Sequence, residues 1–399
     1  GSSRNITWTK TGSIANVKIE YYKDNFVTPI LITASTPAPA GTYAWTIPDD
    51  ISSTVKVRIT DLADATVTST SPANFGIKGS LTIVAPNGGE PWSIGSTQTI
   101  TWTKTGTLGN VRLDYSTDGG ATYPNVITLS TPASSLSFAW TIPDTPTAQA
   151  RVKITSIDDT SVTDASDGNF NIKGTVTVTA PNGGETWVVG ESRNITWTKT
   201  GAITNVKLEY STDGGATYPN VITASTPAAS GSLPWTVPDA IGTGLRVRVT
   251  DAGDTTVFDG SDASFTIKGS LTLTAPIGGE TWTVGTPQNI TWTKTGTLAD
   301  VKIEYSTDGG TTYPNLITAS TPAASGSYAW TVPDAISATV RVRITLNNDA
   351  AVTHSSPGNF KIRGALTLTA PNGGETWVVG DTQNITWTKT GSIANVKLE

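Results

Sequence analysis

The sequence predicts an all-β protein, a tandem array of small β-sandwich domains, and three observations carry that prediction. The stretch NITWTKTG occupies residues 5–12 and returns at 194–201, 289–296 and 384–391, with a one-letter variant, TITWTKTG, at 99–106. Its tryptophans, Trp8, Trp102, Trp197, Trp292 and Trp387, are spaced by 94, 95, 95 and 95 residues. Between them, short runs rich in Thr, Val and Ile alternate polar and apolar residues with period two, the mark of a strand with one dry face. No segment carries apolar residues at helical spacing over ten or more positions.

The period sets the size of the unit. Ninety-five residues is too long for a helical solenoid repeat of roughly 20 to 50 residues, and it matches the roughly 100 residues of a seven-stranded sandwich. Each copy is therefore long enough to own a core. The single spacing of 94 has a local origin: the first copy reads YYKDNFVTP where the second and third read YSTDGGATYP, one residue longer.

Residues 80–174 show the elements in order. LTIVAP opens the copy, NGGEPWSIG is a Gly-rich turn, and TQTITWTKTG turns Ile100 and Trp102 inward. NVRLDYS follows, with Val111, Leu113 and Tyr115 on one face and Arg112 and Asp114 on the other. FAWTIPD and ARVKITS repeat the alternation, and GNFNIKG closes the copy with Phe170 and Ile172 inward. About seven strands per copy, with a turn signal every 8 to 12 residues, indicate an antiparallel immunoglobulin-like β-sandwich. The inward tryptophan takes the place of the disulfide that a chain without cysteine cannot form.

The expected divisions are 1–79, a repeat lacking its first strand; 80–174, 175–269 and 270–364, complete repeats; and 365–399, the start of another. The sequence IKG closes the copies at Gly79, Gly174 and Gly269, and IRG at Gly364. The next apolar strand starts within about two residues, too short a connection to act as a flexible coil. Neighbouring repeats are expected to form a stiff rod. Residues 1–20 and 380–399 are the same piece of the repeat, which fits a window cut from a longer repetitive polypeptide.

Composition excludes several functions. The formal net charge is −6 and no basic run is present, which argues against nucleic acid as a partner. No apolar run approaches the roughly 20 residues that span a bilayer, so no membrane insertion is expected in this segment. The absence of cysteine excludes thiol chemistry.

The turn STDGGATY at 116–123 recurs at 211–218 and, as STDGGTTY, at 306–313. It reads as a structural hairpin in which the Asp carboxylate accepts backbone N–H groups, Gly supplies a positive φ, and the aromatic packs beneath. One carboxylate is too few for calcium, which takes six to eight oxygens. Asp64, Asp159, Asp254 and Asp349 recur in a second loop, where turn capping explains them better than a cation site. The lone histidine, His354, reads as a loop residue on a polar surface, since Ser69, Asp164 and Asp259 take its place elsewhere. No acid–base pair recurs at constant spacing. No catalytic residue, cofactor or metal is therefore assigned, and no enzymatic activity is expected.

Three further sets face outward or sit in loops. Lys207 and Glu209, with Arg246 and Arg248, form a cross-strand charge ladder if their strands are neighbours. That is either a wet sheet face or a stripe pairing with another rod. Each complete copy also carries three tryptophans: the strand Trp, one in AWTIPD and its variants, and one in GGETW or GGEPW. Core anchoring is the default for all three, and the last set, Trp92, Trp187, Trp282 and Trp377, is the best placed for carbohydrate contact. Asn5, Asn194, Asn289 and Asn384 begin N-glycosylation sequons on an outward strand position, against the plainer reading of a polar strand residue.

The joint order of APNGGETW, NITWTKTG, NVKLEYSTDGG, WTVPD and DASFTIKG resembles the Kre9/Knh1-like Ser-Thr-rich surface-protein domain, an immunoglobulin-like module found in fungal wall proteins and in tandem in bacterial surface proteins. The resemblance covers every repeat. It implies an extracellular, surface or wall-associated role without catalysis. The function expected is the structural repeat region of a long extracellular fibre, filament or stalk. Its partners would be copies of itself and surface glycans. The alternative is an adhesin or carbohydrate-binding array that uses the loop tryptophans.

Overall fold

The computed structural model describes every residue except Asn25, in the YYKDNFVTP stretch of the sequence. The described residues form strands joined by turns and four three-residue 3-10 turns. The chain divides into two compact units, Gly1–Thr175 with Thr200–Ile203, and Val176–Lys199 with Thr204–Glu399. Each sheet draws its strands from one 95-residue period.

Residues 80–174, within the first unit, fold as β1 (Ser80–Ala85), β2 (Pro91–Ser93), β3 (Thr97–Thr105), β4 (Asn110–Ser116), β5 (Asn125–Pro132), β6 (Ser137–Thr141), β7 (Thr147–Ser156), β8 (Thr163–Ala165) and β9 (Phe170–Lys173). One sheet has the order β6-β3-β1, and the other β5-β4-β7-β9-β2 with β8 paired to β7. The two sheets form the expected immunoglobulin-like sandwich, with two differences. NVITLSTP forms β5, an edge strand whose burial does not alternate and whose register with β4 shifts twice. GGEPW is not a plain turn: its Pro91–Ser93 is a strand paired in parallel with β9, Trp92 opposite Ile172.

The core lies between the sheets. Ile100, Leu113, Ile154 and Phe170 are fully buried, and each aliphatic or aromatic side chain so removed from water stabilises the fold by about 1.5–3 kcal/mol. Trp102, Trp197 and Trp292 are 2, 3 and 3 % exposed. Their indole N–H groups donate to the carbonyls of Ala133 (3.0 Å), Ala228 (2.9 Å) and Ala323 (2.9 Å), each the first residue of a 3-10 turn. A buried indole needs such an acceptor, so the strand Trp fixes the turn as well as filling the core. The residue after that turn is left-handed. It is Gly41, Gly231 and Gly326 in three copies but Leu136 in the second, at φ 57°.

The two ends of the chain differ from the complete copies. In the first, Ser3–Thr7 pairs only with Thr42–Thr46. A cavity of about 650 Å³, lined by Ile6, Trp8, Val57, Ser69 and Ser71 among others, lies beside Thr68–Thr70. Residues 365–399 contain one strand pair, Ala365–Ala370 with Thr386–Thr390, and Trp387 is exposed there.

Candidate functional site

The recurring octapeptide has a second task beyond the core. Its lysine curls back onto its own turn: Lys104 Nζ donates to the Gly106 carbonyl (2.9 Å) and Lys294 Nζ to that of Gly296 (2.7 Å). The residue after this turn is gripped by an aspartate of the preceding repeat. Asp49 accepts the Thr107 backbone N–H (2.8 Å) and hydroxyl (2.7 Å) on separate oxygens. In the second unit Asp239 does the same to Thr297 (3.0 and 2.5 Å), and Asp334 to Ser392, whose N–H lies at 2.9 Å. Asp144 accepts the Ala202 N–H (3.1 Å), both residues belonging to the first unit. The hydroxyl and amide donors hold the carboxyls of Asp49, Asp239 and Asp334 below the usual range.

A second contact flanks the first. Lys78 of the closing IKG reaches Asp159 of the following repeat (3.4 Å) and also donates to the Ser161 hydroxyl. Lys268 reaches Asp349 at 3.2 Å. The recurrent acidic residue does cap its turn, Asp159 accepting the Ser161 N–H at 2.9 Å, and in these pairs it is also an ion-pair partner. Between the two contacts, Gly79 leaves no room for a side chain: a Cβ there would stand 2.6 Å from the Thr105 carbonyl oxygen and 2.8 Å from Leu108. The linker is packed against the turn it leads to, and any larger residue would push the two apart.

The joint aspartates went unnoticed in the sequence, although a signal was present. Each lies 58 residues before the position it grips, and each ends a W-T-x-P-D segment.

The STDGGATY hairpin, an Asp box, forms as expected. Asp118 accepts the Thr122 N–H (3.0 Å) and hydroxyl (2.6 Å) and the Ser116 hydroxyl (2.5 Å), and these donors hold its carboxyl far below the usual range. Its aromatic then covers the outer face of the larger sheet. Tyr218 lies under the Arg248 guanidinium at 4.4 Å and Tyr313 under Arg343 at 4.3 Å. The first copy lacks the box, and there Tyr22, at the end of Asn16–Tyr22, takes the ring's place beneath Arg58 at 4.8 Å.

This arrangement corrects the reading of a wet charge ladder. Glu209 does stand opposite Arg248, but it is 5 % exposed. It is sealed beneath Lys207 (2.5 Å) and Arg248 (2.8 Å). Burial pushes its carboxyl up, and hydrogen bonds from Lys207 and Arg248 outweigh that and lower it. In the second copy Asp114 replaces the glutamate, and Arg112 reaches it from two residues away (2.8 Å). The carboxylate is neutralised within its own sheet, so it is not a stripe of unpaired charge offered to a neighbour.

The carbohydrate expectation for the loop tryptophans also needs correction. Trp92, Trp187 and Trp282 are 7, 7 and 8 % exposed. Trp92 packs on Phe170 (4.9 Å between centroids) and on Trp140 (6.0 Å), and the other two repeat the cluster. A sugar ring needs an open indole face, and these have none. Trp377, in the final segment, is 45 % exposed.

His354 is not in a loop. It lies in the strand Asp349–Ser355, where its Nδ1 accepts the Leu273 N–H (3.1 Å). Asp164 and Asp259 accept from Ile83 (2.7 Å) and Val178 (2.8 Å) in the same way, so the imidazole is an acceptor substituted for a carboxylate. Asn5, Asn194, Asn289 and Asn384 are all exposed, and the first three stand opposite Ala44, Pro234 and Ala329. Among the described residues, no three His, Cys, Asp or Glu side chains converge as metal ligands, and no helix is long and apolar enough to cross a membrane.

Comparison with protein-family models returned no match, and comparison with curated sequences returned none. Comparison with solved structures returned matches of low identity and low overall superposition. The N-terminal eight Ig domains of Down syndrome cell adhesion molecule align over 98 % of this chain at 11 % identity and a TM-score of 0.23, and the chain spans 56 % of that structure's length. The tetra-tandem repeat from the extending region of a large adhesion protein aligns over 90 % of this chain and 95 % of its own, at 19 % identity and a TM-score of 0.28. The fibronectin(III)-like modules of Clostridium thermocellum CbhA align over 47 % of this chain and 92 % of theirs, at 19 % identity and a TM-score of 0.18.

Proposed function

We propose that the chain is a structural repeat region of a long extracellular fibre, filament or stalk, associated with a cell surface or wall and without catalytic activity. The observation that carries this reading is the repeated joint: Asp49 on Thr107, Asp239 on Thr297 and Asp334 on Ser392 tie consecutive modules through one geometry. Modules that differ little and dock in one way multiply length without adding chemistry, which suits a spacer. The domain divisions at Gly79, Gly174, Gly269 and Gly364, the Kre9/Knh1-like resemblance and copies of the same chain as partners belong to this reading.

The rival, a carbohydrate-binding array on the loop tryptophans, loses its main support with the burial of Trp92, Trp187 and Trp282. Sugar attached at Asn194 or Asn289 is compatible with either reading. Electron microscopy of the purified chain tests the proposal. It predicts straight particles of uniform length, with the length growing in proportion to repeat number; beads moving freely about the linkers overturn it. A glycan array with the native chain and Trp377→Ala separates the rival, since a spacer has no sugar binding to lose.

A further inference from the structure

The two sheets of each repeat present opposite chemistries to solvent. The larger carries the buried carboxylate, its cations and the tyrosine. The smaller carries no charge at all on its outer face. In residues 270–364 the outward positions of Ser270–Ala275, Pro287–Thr295 and Ser327–Thr331 are hydroxyl residues except for Pro287, Asn289 and Ala329. Lys294 alternates to the other side and spends its ammonium on Gly296.

The corresponding positions in 80–174 and 175–269 are likewise free of Asp, Glu, Lys and Arg. With 15 % charged residues in the chain, about five would be expected among three faces of eleven positions each. An exposed sheet ordinarily carries charges, because they oppose association with other sheets. These faces have none.

Some of the hydroxyls satisfy one another across the strands. Thr274 and Thr291 lie 2.7 Å apart through their Oγ1 atoms, as do Thr179 and Thr196, and Ser80 pairs with Thr105 at 2.8 Å. Covering such a face strands no ion, and the paired hydroxyls keep their hydrogen bonds, so its desolvation costs less than that of a charged face. Thr, Ser and Ala are short, and two such sheets can approach closely.

We propose that this uncharged face is where the chain packs against a second copy of itself, smaller sheet against smaller sheet. The inference rests on the fibre reading, which names copies of the chain as partners, and deepens it by naming the face through which they meet. Area limits its form. Three strands 4.8 Å apart with a rise of about 3.3 Å per residue give roughly 300 Å² per repeat, whereas a specific interface buries about 600–1,000 Å² per partner. Two or three faces must engage together, and association depends on the tandem array. The other occupant of the face is a glycan on Asn194 or Asn289, which excludes sheet contact.

The test is sedimentation velocity of the full chain, produced without glycosylation, across a hundredfold concentration range. The native sequence is expected to show a rising average mass, abolished in Thr103→Lys/Thr198→Lys/Thr293→Lys, which places one cation at the centre of each face, and partly restored by high salt. Leu129→Lys/Ala224→Lys/Ala319→Lys, on the exposed edge strand of the other sheet, is expected to associate as the native chain does. Far-ultraviolet circular dichroism checks that each variant is folded, and Thr103→Asn/Thr198→Asn/Thr293→Asn, which keeps the faces uncharged, should still associate. A native chain that stays monomeric throughout overturns the proposal. So does association that survives the face lysines or is lost only with the edge lysines, and so does native material carrying sugar at Asn194 and Asn289.

Discussion

Asp239 grips Thr297 with both carboxylate oxygens, one on the backbone N–H at 3.0 Å and one on the hydroxyl at 2.5 Å, across 58 residues of chain. The strand that delivers Thr297 to this contact also carries Trp292, whose indole N–H is bonded inside the same repeat. One octapeptide therefore serves a core and a joint at once. A change at Trp292 strikes the core, and a change at Gly296, where a Cβ would stand 3.1 Å from Asp239 Oδ1, strikes the joint.

The core half of that claim predicts an asymmetry among tryptophans. Trp292→Phe removes the bond to the Ala323 carbonyl, orphans that oxygen and leaves a void, and should cost about 3 kcal/mol. Trp377→Phe, at an exposed site, should change stability by less than about 0.5 kcal/mol. Urea unfolding followed by circular dichroism measures both.

Acid should weaken the joints and the hairpins together. Asp49, Asp239 and Asp334, with Asp118, Asp213 and Asp308, all have carboxyls depressed by hydroxyl and amide donors. A depressed carboxyl stabilises the fold fully above its unfolded value, near 4, and the contribution disappears as pH falls through the lower folded value. The melting temperature should be level from about pH 8 to 5 as far as these groups decide it, and fall below about pH 4. A chain with Asn at all six positions should show a smaller fall.

The sealed glutamate gives a third expectation. Glu209→Gln leaves Lys207 and Arg248 without their shared anion and should cost about 1–2 kcal/mol, since both cations keep some contact with water. A double-mutant cycle with Arg248→Gln should return a coupling of about 1 kcal/mol. Additive effects would place the glutamate in solvent instead.

Leu136 offers a gain. It holds a left-handed φ of 57° where Gly41, Gly231 and Gly326 stand in the other copies, and it is half exposed, so little packing is lost with its side chain. Leu136→Gly should raise stability by about 0.5–1 kcal/mol by calorimetry.

Much of this fold could be read from residues, because the central strands have one dry face and alternate accordingly: Val111, Leu113 and Tyr115 face in as expected. The edge strand Asn125–Pro132 escaped because neither of its faces is dry. Pro91–Ser93 escaped because three residues are too few to show a period, and its parallel partner lies 80 residues away. Long-range polar contacts were the least legible. Nothing near Asp49 in the chain names Thr107, and His354 looks like a loop residue until Leu273 N–H is placed against its ring nitrogen. The outward direction of Asn194 and Asn289 was readable; the absence of charge around them emerged only when three strands were laid side by side.

Amide hydrogen exchange at Thr107, Thr297 and Ser392 measures the joint most directly. The account predicts that these loop amides are protected at neutral pH to a degree comparable with the adjoining strands. Asp239→Ala should release Thr297 while leaving the Trp292 indole N–H protected. Exchange of Thr297 at the rate of an open loop in the native chain, or unchanged protection in Asp239→Ala, would contradict it.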